Sequence, residues 1–123
     1  MTAFTSRQIK GRGRARKLGY PTINLEIPKN FDLKDGVYGV EFMVDTKKYL
    51  GAMHFGPSPT FADTEKTLEV FLINLKNETT PVTKNKMLKI KVLKYLREIL
   101  SFSEKGKLIK QIANDIQEIK SLK

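Results

Sequence analysis

The chain has 123 residues, with 23 Lys and Arg against 13 Asp and Glu, a formal charge of +10 and no cysteine. That length suits a single domain, 1–123, around one core. The absence of cysteine excludes disulfides and thiolate metal sites and fits a cytoplasmic location. No apolar run approaches the ~18 residues of a membrane span, and the basic, glycine-rich start has no apolar stretch of a signal peptide.

The positive balance favours anionic partners: nucleic acid, anionic lipid or a nucleotide. Arg7, Lys10, Arg12, Arg14, Arg16, Lys17 and Lys29 gather near the start, and the remaining cations are spread along the chain. Spread cations read as solubility rather than as a binding face.

In chain order, Phe4 to Ile9 alternates as a first strand, and Thr22 to Ile27 is a short second strand closed by Pro28. Gly36 to Val44 is a strand rich in β-branched and aromatic residues. Asp45 to Lys48 is a turn, and Tyr49 to Phe55 pairs back as a hairpin. After a loop containing Pro57 and Pro59, Thr67 to Leu75 places Leu68, Val70 and Leu72 on one face and Glu69, Phe71 and Ile73 on the other. Met87 to Leu96 alternates again, Leu88, Ile90, Val92 and Lys94 sharing a face. The tail changes period from two to 3.6: Leu108, Ile109, Ile112, Ile116 and Ile119 form an apolar stripe, and Ser101 with Glu104 fits a capping box. Short strands with Gly and Pro turns followed by one helix predict a small closed β-barrel with a helix packed on it.

Between the first two strands, the run from Gly11 to Leu25 reads GRGRARKLGYPTINL. Glycines let a backbone approach a ligand closely, and neighbouring cations suit a phosphate. A threonine hydroxyl and an asparagine carbonyl two residues apart suit a hard cation such as Mg²⁺. The run is no Walker A loop, because Gly19 is followed by Tyr20 and Pro21 rather than by Lys and Ser or Thr.

This run resembles the signature of the riboflavin kinase (flavokinase) family, G-x-G-R-G-R-x-L-G-[FY]-P-T-x-N-L. It matches at Gly11, Gly13, Arg14, Arg16, Leu18, Gly19, Tyr20, Pro21, Thr22, Asn24 and Leu25, and departs at Ala15. Further segments are similar in order: Asp35 to Tyr38, Gly51 with Gly56 to Phe61, Leu68 to Phe71, Leu96-Arg97, and Leu108, Gln111, Ile112 and Asp115 in the tail. The resemblance implies a mainly β fold, a six-stranded Greek-key barrel with a C-terminal helix. It implies transfer of the ATP γ-phosphoryl group to the 5′-hydroxyl of riboflavin, giving FMN, with a divalent cation. Gly11, Gly13, Arg14, Arg16, Gly19 and Pro21 would face the nucleotide. Thr22 and Asn24 would hold Mg²⁺ and phosphate, Glu69 would be the general base, and Arg97 would sit on a loop closing over the flavin. The expected partners are therefore ATP and riboflavin, with no specific nucleic acid and no membrane. Family members often carry an adenylyltransferase (FAD synthetase) domain in front of this one. None is present within these residues, so the chain is read as a monofunctional kinase or as the kinase part of a longer protein.

Other readings stand beside these. Pro-Thr-x-Asn can be a strand entry whose side chains bond to local backbone. Glu69 is awkward to bury between apolar neighbours, as functional carboxylates often are, but it also fits a solvated strand face. Arg97 can be a surface arginine, and the glutamate expected two residues after it is Ile99. His54, where the family usually has asparagine, is the chain's one histidine, which excludes a zinc site and reads as structural. Asn85 takes the place of a turn glycine, a role that asparagine tolerates. The whole chain can also be read as a basic barrel binding RNA or single-stranded nucleic acid, or as a family member that binds flavin or nucleotide without turnover.

Overall fold

A computed structural model describes residues 3–10, 22–57, 65–73, 81–101 and 103–122. The alternating segments form β1 (Ala3–Ser6), β2 (Ile23–Leu25), β3 (Gly36–Val44), β4 (Lys47–Gly56), β5 (Thr67–Leu72) and β6 (Leu88–Arg97), and the tail forms α1 (Lys105–Lys120). The six strands make one antiparallel sheet in the order β1-β6-β3-β4-β5-β2. β3, β4 and β5 are successive neighbours and β6 returns beside β3, which is the Greek-key arrangement. The sheet then curls until its edges meet. Ile9 N–H donates to the Asn24 carbonyl at 2.8 Å, Glu26 N–H donates to the Arg7 carbonyl at 2.9 Å, and Gln8 bridges Leu25. The expected mainly β barrel with a C-terminal helix is the observed fold.

Alternation decides what lies inside. Leu25, Val40, Phe42, Met53, Leu68, Val70, Leu88 and Ile90 are fully buried and form the core. Each such side chain contributes about 1.5–3 kcal/mol. The hairpin between β3 and β4 is tighter than expected: only Asp45 and Thr46 turn, with Asp45 left-handed at φ 55°. Asn85 adopts φ 62°, the left-handed turn expected of it.

β6 departs from its sequence pattern. Strict alternation from Leu88 would carry Lys94 into the core. Instead Gly39 pairs with Lys94 and Val40 with Val92, so Leu93 is an extra residue; Tyr38 pairs with Tyr95 and Val37 with Arg97, so Leu96 is another. Such β-bulges bend a strand and re-aim its side chains. Here they leave Lys94 exposed, turn Tyr95 against the core and return Arg97 to the outer face.

The helix packs on that outer face. Its buried stripe is Asp115 and Ile119, flanked by half-buried Leu108, Gln111, Ile112 and Leu122, whereas Ile109 is exposed, contrary to its expected place in the stripe. Spacings of three and four from Leu108 run through Ile112, Asp115, Ile119 and Leu122, which leaves Ile109 one residue, ~100°, off the seam. Gly39 lets the helix approach closely: a Cβ there would lie 3.0 Å from Leu122 Cδ1 and 3.2 Å from Ile119 Cγ1. The Ser101 capping box does not form. Glu104 is the N-cap residue, extended at φ −123°, and its carbonyl accepts from Lys107 N–H. Ser101 lies too far upstream to meet the first free amides.

Candidate active site

Residues directly opposite one another in a sheet project to the same face. Following the pairings outward from β2, Asn24 faces Glu69, Glu69 faces His54, His54 faces Val37, and Val37 faces Arg97. One row on the outer face therefore crosses the sheet from the expected cation ligand, past the expected base, to the expected flavin-side arginine. All its polar members are half-buried.

Glu69 is held by two hydroxyls. Thr22 Oγ1 donates to Oε1 at 3.2 Å, and Thr67 Oγ1 donates to Oε2 at 3.4 Å. Thr67 lies two residues before Glu69 on β5, so the pleat puts both on one face. It received no role from sequence, although that i, i+2 spacing was its signal. On the other side of Glu69 stands His54, whose buried Nδ1 has no hydrogen-bond partner among the described residues. Burial pushes the imidazole pKa below its ordinary 6.5; the Glu69 carboxylate opposes that shift and the Arg97 guanidinium adds to it. His54 is paired on both sides within the sheet, with Val37 and Glu69. It stands next to Glu69, a placement that only the strand register reveals.

Arg97 is not on a loop. It is the last residue of β6, and its guanidinium grips Asp115 of the helix: Nε lies 3.0 Å from Oδ1, and Nη2 lies 2.8 Å from Oδ2. Gln111 Nε2 adds a bond to Oδ1 at 3.1 Å, and Arg97 Nη1 donates to the Glu98 carbonyl. The fork-on-carboxylate geometry is the strong, directional form of an ion pair. Asp115 is buried, so this pair fastens the helix to the end of the row. Arg97 therefore meets any ligand with its fork already engaged.

Gly11, Gly13, Arg14, Arg16, Gly19 and Pro21 lie outside the described residues, as do Ser58 to Phe61 of the Gly-Pro motif. Beside that motif, Gly56 has φ +133° and stands where a Cβ would lie 2.4 Å from Ile99 Cδ1 and 3.1 Å from Asp35 Cβ. Only glycine suits that backbone. No group of three or more His, Cys, Asp or Glu able to hold a metal occurs among the described residues.

A family profile described as Flavokinase, riboflavin kinase, matches residues 1–123. The chain belongs to the riboflavin kinase family. It is 36% identical over 117 residues to the RNA-binding riboflavin kinase RibR of Bacillus subtilis (strain 168), covering 94% of this chain and 49% of that protein. It is 34% identical over 121 residues to a bifunctional riboflavin kinase/FMN adenylyltransferase of Buchnera aphidicola subsp. Schizaphis graminum, covering 96% of this chain and 38% of that protein. The chain thus spans half or less of the length of these relatives. Among solved structures, one described as a macrolide-efflux protein from Streptococcus pneumoniae superposes with a TM-score of 0.80 at 24% identity, over 96% of this chain and 38% of that one. That likeness speaks to the fold alone.

Proposed function

We propose that this chain is a riboflavin kinase domain that transfers the γ-phosphoryl group of ATP to the 5′-hydroxyl of riboflavin, giving FMN and ADP. The observation that carries the reading is the grouping of Thr22, Asn24 and Glu69 on one face, with the Thr22 hydroxyl bonded to the Glu69 carboxylate.

The donor set suits Mg²⁺. This ion takes oxygen ligands, keeps several waters and binds largely through substrate phosphates rather than through an all-protein cage. A threonine hydroxyl and an asparagine carbonyl beside one carboxylate supply oxygen without a dedicated acidic cluster. Thr22 and Asn24 would hold the ion. When bound it would neutralise charge on the phosphates being transferred.

The chain's own residues do the rest. Glu69, oriented by Thr22 and Thr67, accepts the proton of the acceptor hydroxyl as that oxygen bonds to the γ-phosphorus and the bond to the β-phosphate oxygen breaks. Phosphoryl transfer asks mainly for positioning and charge compensation. The Arg97–Asp115 pair fixes the helix at the far end of the row, and Gly11 to Pro21 is the segment assigned to the phosphates. Kinase activity is the reading for this domain. Fusion to an adenylyltransferase domain is named for bifunctional relatives. No helix among the described residues is long and apolar enough to cross a membrane, and we place the reaction in the cytoplasm, which fits a cysteine-free chain.

RNA binding is named for one relative. Here it is the weaker reading, because single-stranded nucleic acid is held by bases stacked on exposed aromatics. The exposed large hydrophobics among the described residues are Ile9, Ile27, Val82, Met87, Leu100 and Ile109, with no aromatic among them. Incubation with riboflavin and ATP, with and without Mg²⁺, followed by separation of the flavins, tests the proposal: FMN accumulates only when the cation is present.

A further inference from the structure

Among the described residues, the buried polar side chains apart from tyrosine are Ser6, Thr83 and Asp115. Asp115 is fastened by Arg97. The other two meet where the first strand changes partners. Up to Ser6 the chain pairs with β6, Ser6 standing opposite Leu88. From Arg7 it pairs with β2 instead: the Arg7 carbonyl accepts from Glu26 N–H, and Ile9 N–H donates to the Asn24 carbonyl. A slip of one residue in such a seam would turn its side chains to the other face, and two backbone bonds are little to prevent it. Two side-chain bonds are added. Ser6 Oγ donates to the Glu26 carbonyl, and Thr83 Oγ1 donates to Gln8 Oε1. Thr83 is presented by a tight turn in which Asn85 is left-handed and Lys86 N–H donates to the Thr83 carbonyl at 3.3 Å. Lys86 Nζ ties that turn to Asp45 of the β3–β4 hairpin at 2.6 Å. A satisfied buried hydroxyl favours one arrangement over its neighbours. Gln8 is itself exposed, so the bond from Thr83, not packing, holds its side chain.

We propose that Thr83 is a positioning residue for the nucleotide side of the site: acting through Gln8, it pins the seam that holds Asn24 in place for Mg-ATP. The inference rests on the riboflavin kinase reading of the site. β2 is three residues long, with β5 on one edge and the Arg7 to Ile9 seam on the other. The seam is thus half of what holds Asn24. Ile9, bonded to Asn24, also stands two residues before Gly11, where the segment assigned to the phosphates begins. Glu69 and Arg97 depend on it less. Glu69 is held by the β4–β5 ladder, and Arg97 by β3 and by Asp115. Loosening the seam should therefore weaken the hold on the nucleotide and leave the flavin side alone.

Thr83→Val keeps the branched shape and loses the hydroxyl. Gln8→Met removes the acceptor at an exposed position, and carries the same test should Thr83→Val not fold. In steady-state FMN formation each should raise the KM for Mg-ATP about 3–10-fold, the equilibrium effect of one hydrogen bond, with the KM for riboflavin unchanged. Thr83→Ser should be native-like. Thr83→Val in the Gln8→Met background should add nothing further, because both act through one bond. By NMR, the Ile9 and Glu26 amides should exchange with solvent about 3–10-fold faster in either single variant, with those of β3 and β4 unmoved. A native KM for Mg-ATP in the single variants, an equal rise in both KM values, additive effects in the double variant, or unmoved exchange at Ile9 and Glu26 would each overturn the proposal. If the native chain forms no FMN, the kinase reading falls by itself. Amide exchange in Gln8→Met then still decides whether this bond holds the seam.

Discussion

Thr22 gives its hydroxyl hydrogen to Glu69 Oε1 across 3.2 Å. A hydroxyl has one hydrogen and two lone pairs, so a threonine that donates inward keeps lone pairs free for a hard cation on its other side. The residue assigned to Mg²⁺ and the residue assigned to the proton are thus joined by one bond, and the first sets the orientation of the second.

On the proposed reading, removing that hydroxyl removes both a cation ligand and a support of Glu69. Thr22→Ala should lower FMN formation by about 10²-fold or more and raise the Mg²⁺ concentration needed for half-maximal rate, with circular dichroism unchanged. Thr22→Ser, which keeps the oxygen and its hydrogen, should recover most of both. An alanine variant with native turnover and native Mg²⁺ dependence would contradict the assignment.

The Arg97–Asp115 pair is a matter of stability first. The Asp115 side chain is 5% exposed and that of Arg97 is 18% exposed. Deleting one partner of such a pair leaves the other's charge poorly solvated, which costs about 3–5 kcal/mol for fully buried pairs. Asp115→Ala should approach the lower end of that range, because Arg97 still reaches water. Urea unfolding measures it, with Gln111→Ala as a milder companion that loses only the supporting bond.

Stability should also depend on pH through His54. The folded-state pKa lies below the ordinary 6.5, so the unfolded chain binds the proton more readily. Stability from this residue is in full force above about 6.5 and declines as pH falls through that value toward the lower folded-state one. Midpoints of urea unfolding measured from pH 8 down to 5 should fall more steeply for the native chain than for His54→Asn, since carboxylates contribute alike to both.

The net charge of +10 should give only loose, salt-sensitive association with nucleic acid. The outward lysines Lys89, Lys91 and Lys94 lie along β6, where Lys94 meets Glu118 of the helix at 3.9 Å, while on the neighbouring strands Glu41 of β3 meets Lys48 of β4 at 4.0 Å. Titration with labelled single-stranded RNA at physiological salt should give a Kd no tighter than about 10⁻⁴–10⁻⁶ M, as for non-specific counterion release. Saturable sub-micromolar binding would favour an RNA-binding role.

What could be read from the chain alone follows a physical divide. The strand from Gly36 to Val44 was legible from its β-branched and aromatic residues, and the two faces of the strand at Glu69 because a period of two reports burial locally. The grouping of Thr22, Asn24 and Glu69 was legible only through the family motif. The place of His54 was not legible, because strand register is a tertiary property: one residue of slip would put it on the other face. The bulges at Leu93 and Leu96 hid the reversal of Lys94 and Tyr95 for the same reason, whereas two bulges together restore the parity and leave Arg97 outward as plain alternation would. The tail motif pointed to Asp115 but not to its partner, since an ion pair between a strand end and a helix leaves no periodicity.

The most direct test of the central claim is FMN formation by the native chain and by Glu69→Gln, assayed side by side with riboflavin and Mg-ATP. The native chain should form FMN. Glu69→Gln should bind both substrates and form FMN roughly 10²–10⁴-fold more slowly, as expected for loss of a general base. Native-like turnover in Glu69→Gln, or no FMN from the native chain under conditions where both substrates bind, would contradict the account.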